Sequence, residues 1–219
     1  MIDEQTKSKS SGSSGSFWRE LPILLVVALV VAFLVRAFVV QTFFIPSQSM
    51  EHTLNIDDRV LVNKLVYDFR DPHRGEVIVF VSPESWRSDP NEKDFIKRVI
   101  GVPGDHITCC DPQGRIQING HPLDEPYILP NTDHTGQNAA PQDFDIIVPA
   151  GRLWVMGDNR YSSGDSLQNW RAHNNSDINQ ATIPIDSVVG RAFVLFWPFD
   201  RMRWLSVPDS YDSVPAPTG

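Results

Sequence analysis

Apolar positions crowd together in one stretch of the chain and recur in short runs through most of the rest. Residues 21 to 40 read "LPILLVVALVVAFLVRAFVV", 20 positions with a single charge, Arg36. As a helix rising ~1.5 Å per residue, this run spans ~30 Å, the thickness of a bilayer core. It is longer than the apolar core of a cleaved signal peptide, and "FFIP" follows where a small-x-small cleavage site would stand. The expectation is a retained transmembrane anchor over residues 21–42, with Arg36 snorkelling to the interface at its end. Lys7, Lys9 and Arg19 precede the run. By the positive-inside rule they favour a cytoplasmic tail over residues 1–20 and an extracytoplasmic remainder. Within that tail, "KSKSSGSSGSF" (7–17) has the composition of a flexible segment.

Beyond residue 43 the pattern changes to strand-like runs between turn signals. They are "RVLVNKLVY" (59–67), "GEVIVFV" (75–81), "DFIKRVIGV" (94–102), "GRIQI" (114–118), "RLWVMG" (152–157) and "VVGRAFVLFW" (188–197). No long stretch after residue 45 has helical period. The prediction is a mostly-β ectodomain. Residues 119–150 are rich in Pro, Asn, Asp and Gly and read as an excursion from the main sheet. The tail "SVPDSYDSVPAPTG" (206–219) reads as disordered.

Composition narrows the partners. A formal charge of −8 argues against nucleic acid. The two cysteines, Cys109 and Cys110, are adjacent, and a zinc site needs about four ligands at defined spacing. No metal or cofactor is expected. The pair reads as two partly buried thiols, with a vicinal disulfide or an intermolecular bridge as alternatives.

Candidate chemistry starts at "IPSQSMEHTL" (45–54), where Ser47 and Ser49 follow the apolar run. They are either turn residues or a nucleophile. A serine nucleophile needs a base. The six histidines sit in no triad motif, and neither G-x-S-x-G nor HExxH occurs. Lysine is the other option, provided burial lowers its pKa from ~10.4. Lys97 in "DFIKRVIGVPGD" has the apolar setting, flanked by Phe95, Ile96, Val99 and Ile100. Strand alternation would point Lys97 inward and leave Arg98 in water. The reverse, a solvent-facing Lys97, stays open on this ground alone. "GDNRYSSGDS" (157–166) is a dense turn in which Asp158 and Arg160 can pair. Its hydroxyls, with Asp165 among them, also suit a site that orients an amine.

Four blocks in order, "PSQSMEHTL", "DDRVLVNK", "RGEVIVF" with "DFIKRVIGVPGD", and "GDNRYSSGDS", follow a single anchor and precede "GRAFVLFWP". In this the chain resembles the type I signal peptidases, membrane-anchored Ser-Lys proteases. The resemblance spans about residues 21–198. It implies Ser49 as nucleophile and Lys97 as general base. It implies Ser47 as an oxyanion-hole hydroxyl beside the Ser49 N–H, and Ser163 as the hydroxyl that orients the lysine. Asp158, Arg160 and Asp165 would support them. Phe43, Ile45, Met50, Leu54, Phe95 and Ile96 are candidate walls of a shallow pocket, with contact to lipid as the alternative for Phe43 and Phe44. The implied fold is a mostly-β peptidase domain (43–205) with a smaller inserted subdomain (112–150). The implied substrates are secretory preproteins, cut after a small-x-small motif beside the membrane lipid.

Departures from the family pattern are visible. Tyr161 and Ser162 stand where Asp-Asn is common, and Leu167 where Arg is common, so the role of Asp165 is open. Gln48, Glu51 and His52 replace the commonest Gly and Met-Pro. Two other readings compete. A self-cleaving repressor-type peptidase shares the dyad but needs a DNA-binding module. A non-catalytic anchored β domain would not require both Ser49 and Lys97.

Overall fold

The computed structural model describes residues 14–34, 36, 39–130 and 139–217. The chain divides into two units, Met1–Val39 and Val40–Gly219. The first contains helix α1 (Ser14–Leu34), on which Leu21, Ile23, Leu24, Leu25 and Phe33 are exposed. Among the described residues, no helix is long and apolar enough to cross a membrane. α1 also begins inside the segment expected to be a flexible tail. Residues 1–13 of that tail, and residues 35, 37 and 38 of the expected anchor, lie outside the described residues.

The second unit is mostly β. Its larger sheet has eight strands: β1 (Val40–Phe44), β2 (Arg59–Asn63), β3 (Val77–Val81), β4 (Asp94–Gly101), β9 (Arg152–Met156), β10 (Ile183–Pro184), β11 (Val188–Trp197) and β12 (Arg203–Trp204). The order is β1-β2-β11-β3-β4-β9-β10, with β12 on β11. The smaller sheet pairs β7 (His121–Pro122), β6 (Gln117–Ile118), β5 (His106–Cys109) and β8 (Phe144–Ile147), in that order. Among the described residues, three short α-helices complete it: α2 (Val66–Phe69), α3 (Ser166–Ala172) and α4 (Ile178–Ala181).

Strand β3 shows how the larger sheet is filled. Its sequence VIVFV is buried from Val77 to Phe80. Val77 and Val79 face a cluster with Val60, Val62, Ala192 and Leu195, while Ile78 and Phe80 face another with Val99, Leu153 and Val155. Two-residue alternation thus feeds both faces of a central strand, so the run reads as continuously apolar. β8 shows the one-sided case: Phe144 and Ile146 are buried, Asp145 and Ile147 exposed.

Three expected boundaries move. Residues 40–42 belong to β1, with Gln41 opposite Val62 on β2, and not to the anchor. The smaller subdomain starts at β5, before residue 112; residues 131–138 within it lie outside the described residues. The tail is not disordered through its described part. Tyr211 and Val214 are buried, Tyr211 stacks on Tyr127 with hydroxyls 2.6 Å apart, and Asn119 Nδ2 donates to the Pro215 carbonyl. One aromatic residue with a hydrogen-bond partner outweighs the polar composition around it. Cys109 and Cys110, left open by the sequence, are joined to each other.

Candidate active site

Ser49 lies in a one-turn 3₁₀ helix, Gln48–Met50, directly after β1. Backbone bonds from Ile45 N to Asp58 O and from Asp57 N to Ile45 O tie the entry of this segment to its exit. Met50 and Leu54 are fully buried behind it, in the cluster that also holds Ile45 and Ile96. The turn therefore rests on a packed floor, and Ser49 itself is only 6% exposed.

Lys97 reaches this serine from β4, where it pairs in register with Ile78 of the central strand. It is 4% exposed. Its Nζ donates to Ser49 Oγ at 2.8 Å and to the Ile96 carbonyl at 2.9 Å, and lies 5.3 Å from the centre of the Phe95 ring. Burial lowers the Lys97 pKa to about 8, against the opposing pull of Asp165, Glu92 and Asp158. Ser47 Oγ lies 3.3 Å from Ser49 Oγ.

Arg98, expected in water, is buried. Its Nε and Nη2 grip Asp158 at 2.9 and 2.6 Å, its Nη1 donates to the Gly75 carbonyl, and its guanidinium lies over the Tyr127 ring at 4.0 Å. Arg98 stands opposite Met156 at the end of β9, so the turn that follows brings Asp158 over it. The Asp158–Arg160 pair expected across that turn does not form. Arg160 instead pairs with Glu125 of the smaller subdomain and donates to the Gly157 carbonyl. Two buried pairs thus hold the loop after β9 from opposite sides.

Asp165 has a definite role despite Leu167 beside it. It caps α3, accepting from Leu167 N at 3.0 Å and Gln168 N at 3.3 Å, and also accepts from Gly157 N at 3.0 Å. Burial raises its pKa, and these bonds together with Lys97 oppose the rise. Ser163, expected to bond the lysine, does not. Its Oγ is buried without a hydrogen bond of normal geometry, yet near enough to Asp165 to favour that carboxylate's charged form.

Around the pair lies a cleft of about 340 Å³. Phe43, Ile45, Phe95 and Ile96 line it, as expected; Met50 and Leu54 belong to the floor beneath. Gln48 Nε2 bridges to Ser162 Oγ at 2.7 Å, tying the serine turn to the loop after β9.

A family model, "Signal peptidase, peptidase S26", matches residues 18–197. The chain belongs to this family. A probable signal peptidase I of Mycobacterium leprae is 36% identical over 227 residues, covering 83% of this chain and 77% of that protein. A probable signal peptidase I-2 of Synechocystis is 36% identical over 208 residues, covering 94% and 85%. A signal peptidase I crystal structure from Enterococcus faecalis aligns with a TM-score of 0.40 at 27% identity, over 56% of this chain and 97% of that one.

Two contributors escaped the sequence reading of this family member. Asn159 N donates to the Ser49 carbonyl at 3.1 Å, fixing the serine turn from behind. Gly157 lets that contact form: a Cβ there would overlap the Ser49 carbonyl oxygen and the Ser163 hydroxyl. The signal was a glycine at the end of a strand, where close backbone approach is a standing possibility. Gly157→Ala is expected to shift the serine turn and lower kcat for preprotein cleavage about 10²-fold, the scale for a ~1 Å misplacement. A wild-type kcat in that variant would show that the turn yields freely.

Proposed function

We propose that Ser49 and Lys97 are the nucleophile and the general base with which this chain, a signal peptidase, cuts signal peptides from preproteins. The observation that carries the reading is the 2.8 Å bond between Lys97 Nζ and Ser49 Oγ, both buried. Neutral Lys97 takes the Ser49 proton as Oγ attacks the carbonyl carbon. The resulting oxyanion is held by the Ser47 hydroxyl and the Ser49 N–H, which sits in a first helical turn without an intrahelical acceptor. The lysine ammonium gives its proton to the leaving amine, leaving an acyl-enzyme. Lys97 then takes a proton from water as its oxygen attacks the ester carbon, and returns that proton to Ser49 Oγ as the ester C–O bond breaks, releasing the carboxylic acid and restoring neutral Lys97. We assign Ser163 as a further acceptor for Lys97 once protonated, since its hydroxyl is buried without a hydrogen bond of normal geometry. Asp158, Arg160 and Asp165 position this machinery through Arg98, Glu125 and the α3 cap.

The Phe43, Ile45, Phe95 and Ile96 walls favour small residues before the scissile bond. The apolar run 21–40 supports an anchor with a cytoplasmic N-terminus and the catalytic unit outside. On the catalytic unit, Trp197, Phe199, Met202 and Trp204 are exposed, Trp204 to 73%, which favours contact with lipid.

The test is cleavage of several secretory preproteins by the full chain in detergent with lipid, the new N-terminus read by sequencing. Cleavage after small-x-small is expected; no cleavage of any preprotein overturns the reading. The pH profile tests the lysine separately. Only neutral Lys97 accepts a proton, so kcat/KM should rise about tenfold per pH unit below the Lys97 pKa of about 8 and level off above it. A profile flat from pH 6 to 9 would exclude Lys97 as base.

A further inference from the structure

We infer that Glu92 and Asp94 form an acidic wall of the substrate cleft that selects preproteins carrying a basic residue about four to six positions before the scissile bond. The inference rests on the peptidase reading above. Both residues line the same cleft as Ser49 and Lys97, and both are exposed. Neither carboxylate has an ion-pair or hydrogen-bond partner among the described residues. Among the described residues, the only cation lining the cleft is Lys97, which is buried and bonded to Ser49. The wall therefore presents two unpaired carboxylates to whatever enters, with the exposed Lys93 between them in the chain.

The position along the substrate follows from the strand. Asp94 precedes Lys97 by three residues on β4, about 10 Å at ~3.3 Å per residue. Phe95 and Ile96 lie between them and, with Phe43 and Ile45, form the apolar walls assigned to the small residues before the scissile bond. An extended segment that fills those walls carries its next residues outward to Asp94 and Glu92. A lysine or arginine there gains attraction from both carboxylates, and an aspartate or glutamate meets repulsion. In water-exposed geometry each pair is weak, so the two together are worth a roughly three- to tenfold preference. The effect fades as salt shortens the Debye length from ~10 Å.

The experiment uses the full chain in detergent with lipid. Its substrates are peptides of one neutral cleavage sequence, with Lys, Gln or Glu placed in turn at the fourth, fifth or sixth residue before the cut. We expect kcat/KM to favour Lys over Glu three- to tenfold at one or more of these positions. The ratio should fall towards one in 0.5 M salt and in Glu92→Gln/Asp94→Asn, with the far-ultraviolet circular dichroism unchanged. Cleavage of the Gln peptides with a Lys-to-Glu ratio of one at every position would overturn the inference and leave the peptidase reading standing. A ratio that persists in the double variant would overturn it equally, by moving the selectivity elsewhere. A chain that cuts none of the peptides would overturn both.

Discussion

Ser49→Ala and Lys97→Met are each expected to lose cleavage by at least about 10³-fold, because each removes one half of a nucleophile–base couple. Single-turnover cleavage of a preprotein measures this. Residual turnover within tenfold of wild type in Ser49→Ala would place the nucleophile elsewhere. Lys97→Met adds a second, opposite reading. Lys97 is held in the folded chain with its pKa lowered to about 8 from an ordinary value of 10.5. Below pH 8 the folded state carries a buried ammonium, which costs stability. Between pH 8 and 10.5 the unfolded chain binds a proton that the folded chain does not, so wild-type stability rises with pH there. Lys97→Met is therefore expected to melt higher than wild type at pH 7, with the gap closing as pH climbs towards 10. A variant that is inactive and less stable at pH 7 would mean that the methionine disturbs the packing, and the loss of activity would then say little about proton transfer.

Asp158→Asn is expected to destabilise the folded chain by about 3–5 kcal/mol, the scale for removing one partner of a buried ion pair. The asparagine keeps the shape but leaves the Arg98 cation buried among Gly75, Tyr127 and Thr53 without its counter-charge. Urea unfolding of the full chain in detergent measures the change. Replacing both partners, Arg98→Met with Asp158→Leu, should recover most of the loss, since no charge is then stranded. A single-variant loss below about 1 kcal/mol, typical of exposed pairs, would mean that water reaches the guanidinium.

Arg98 also marks where sequence reasoning stops. Strand alternation gave Lys97 its inward direction but, taken strictly, sent Arg98 to solvent. What buries it is Asp158, sixty residues away, delivered by the exit of β9. Such a long-range partner leaves no trace in a local pattern. The long strands β3, β4, β9 and β11 were legible because their apolar residues are dense, and β11 lies on the expected residues 188–197. Of the short strands of the smaller sheet, two to four residues each, only β6 fell in an expected run, 114–118, since so few positions set no period. α3 was hidden for a related reason: it has seven residues, and its capping aspartate, Asp165, read as part of a site. The anchor ran on too far because Val40 is as apolar in β1 as in a lipid-facing helix. Ser49 and Lys97 became legible together only through the order of four blocks, because no spacing rule predicts that residues 49 and 97 meet.

The stacked pair Tyr127–Tyr211 has a consequence for how the enzyme comes into being. Tyr211 backs the ring on which Arg98 lies. A chain emerging from a ribosome folds its N-terminal portions first. The strand that carries Lys97 is made long before Tyr211, so the pocket around its neighbour stays unsealed until residue 211 has emerged. The surroundings of the catalytic pair are thus completed only after residues 49 to 211 have all been synthesised.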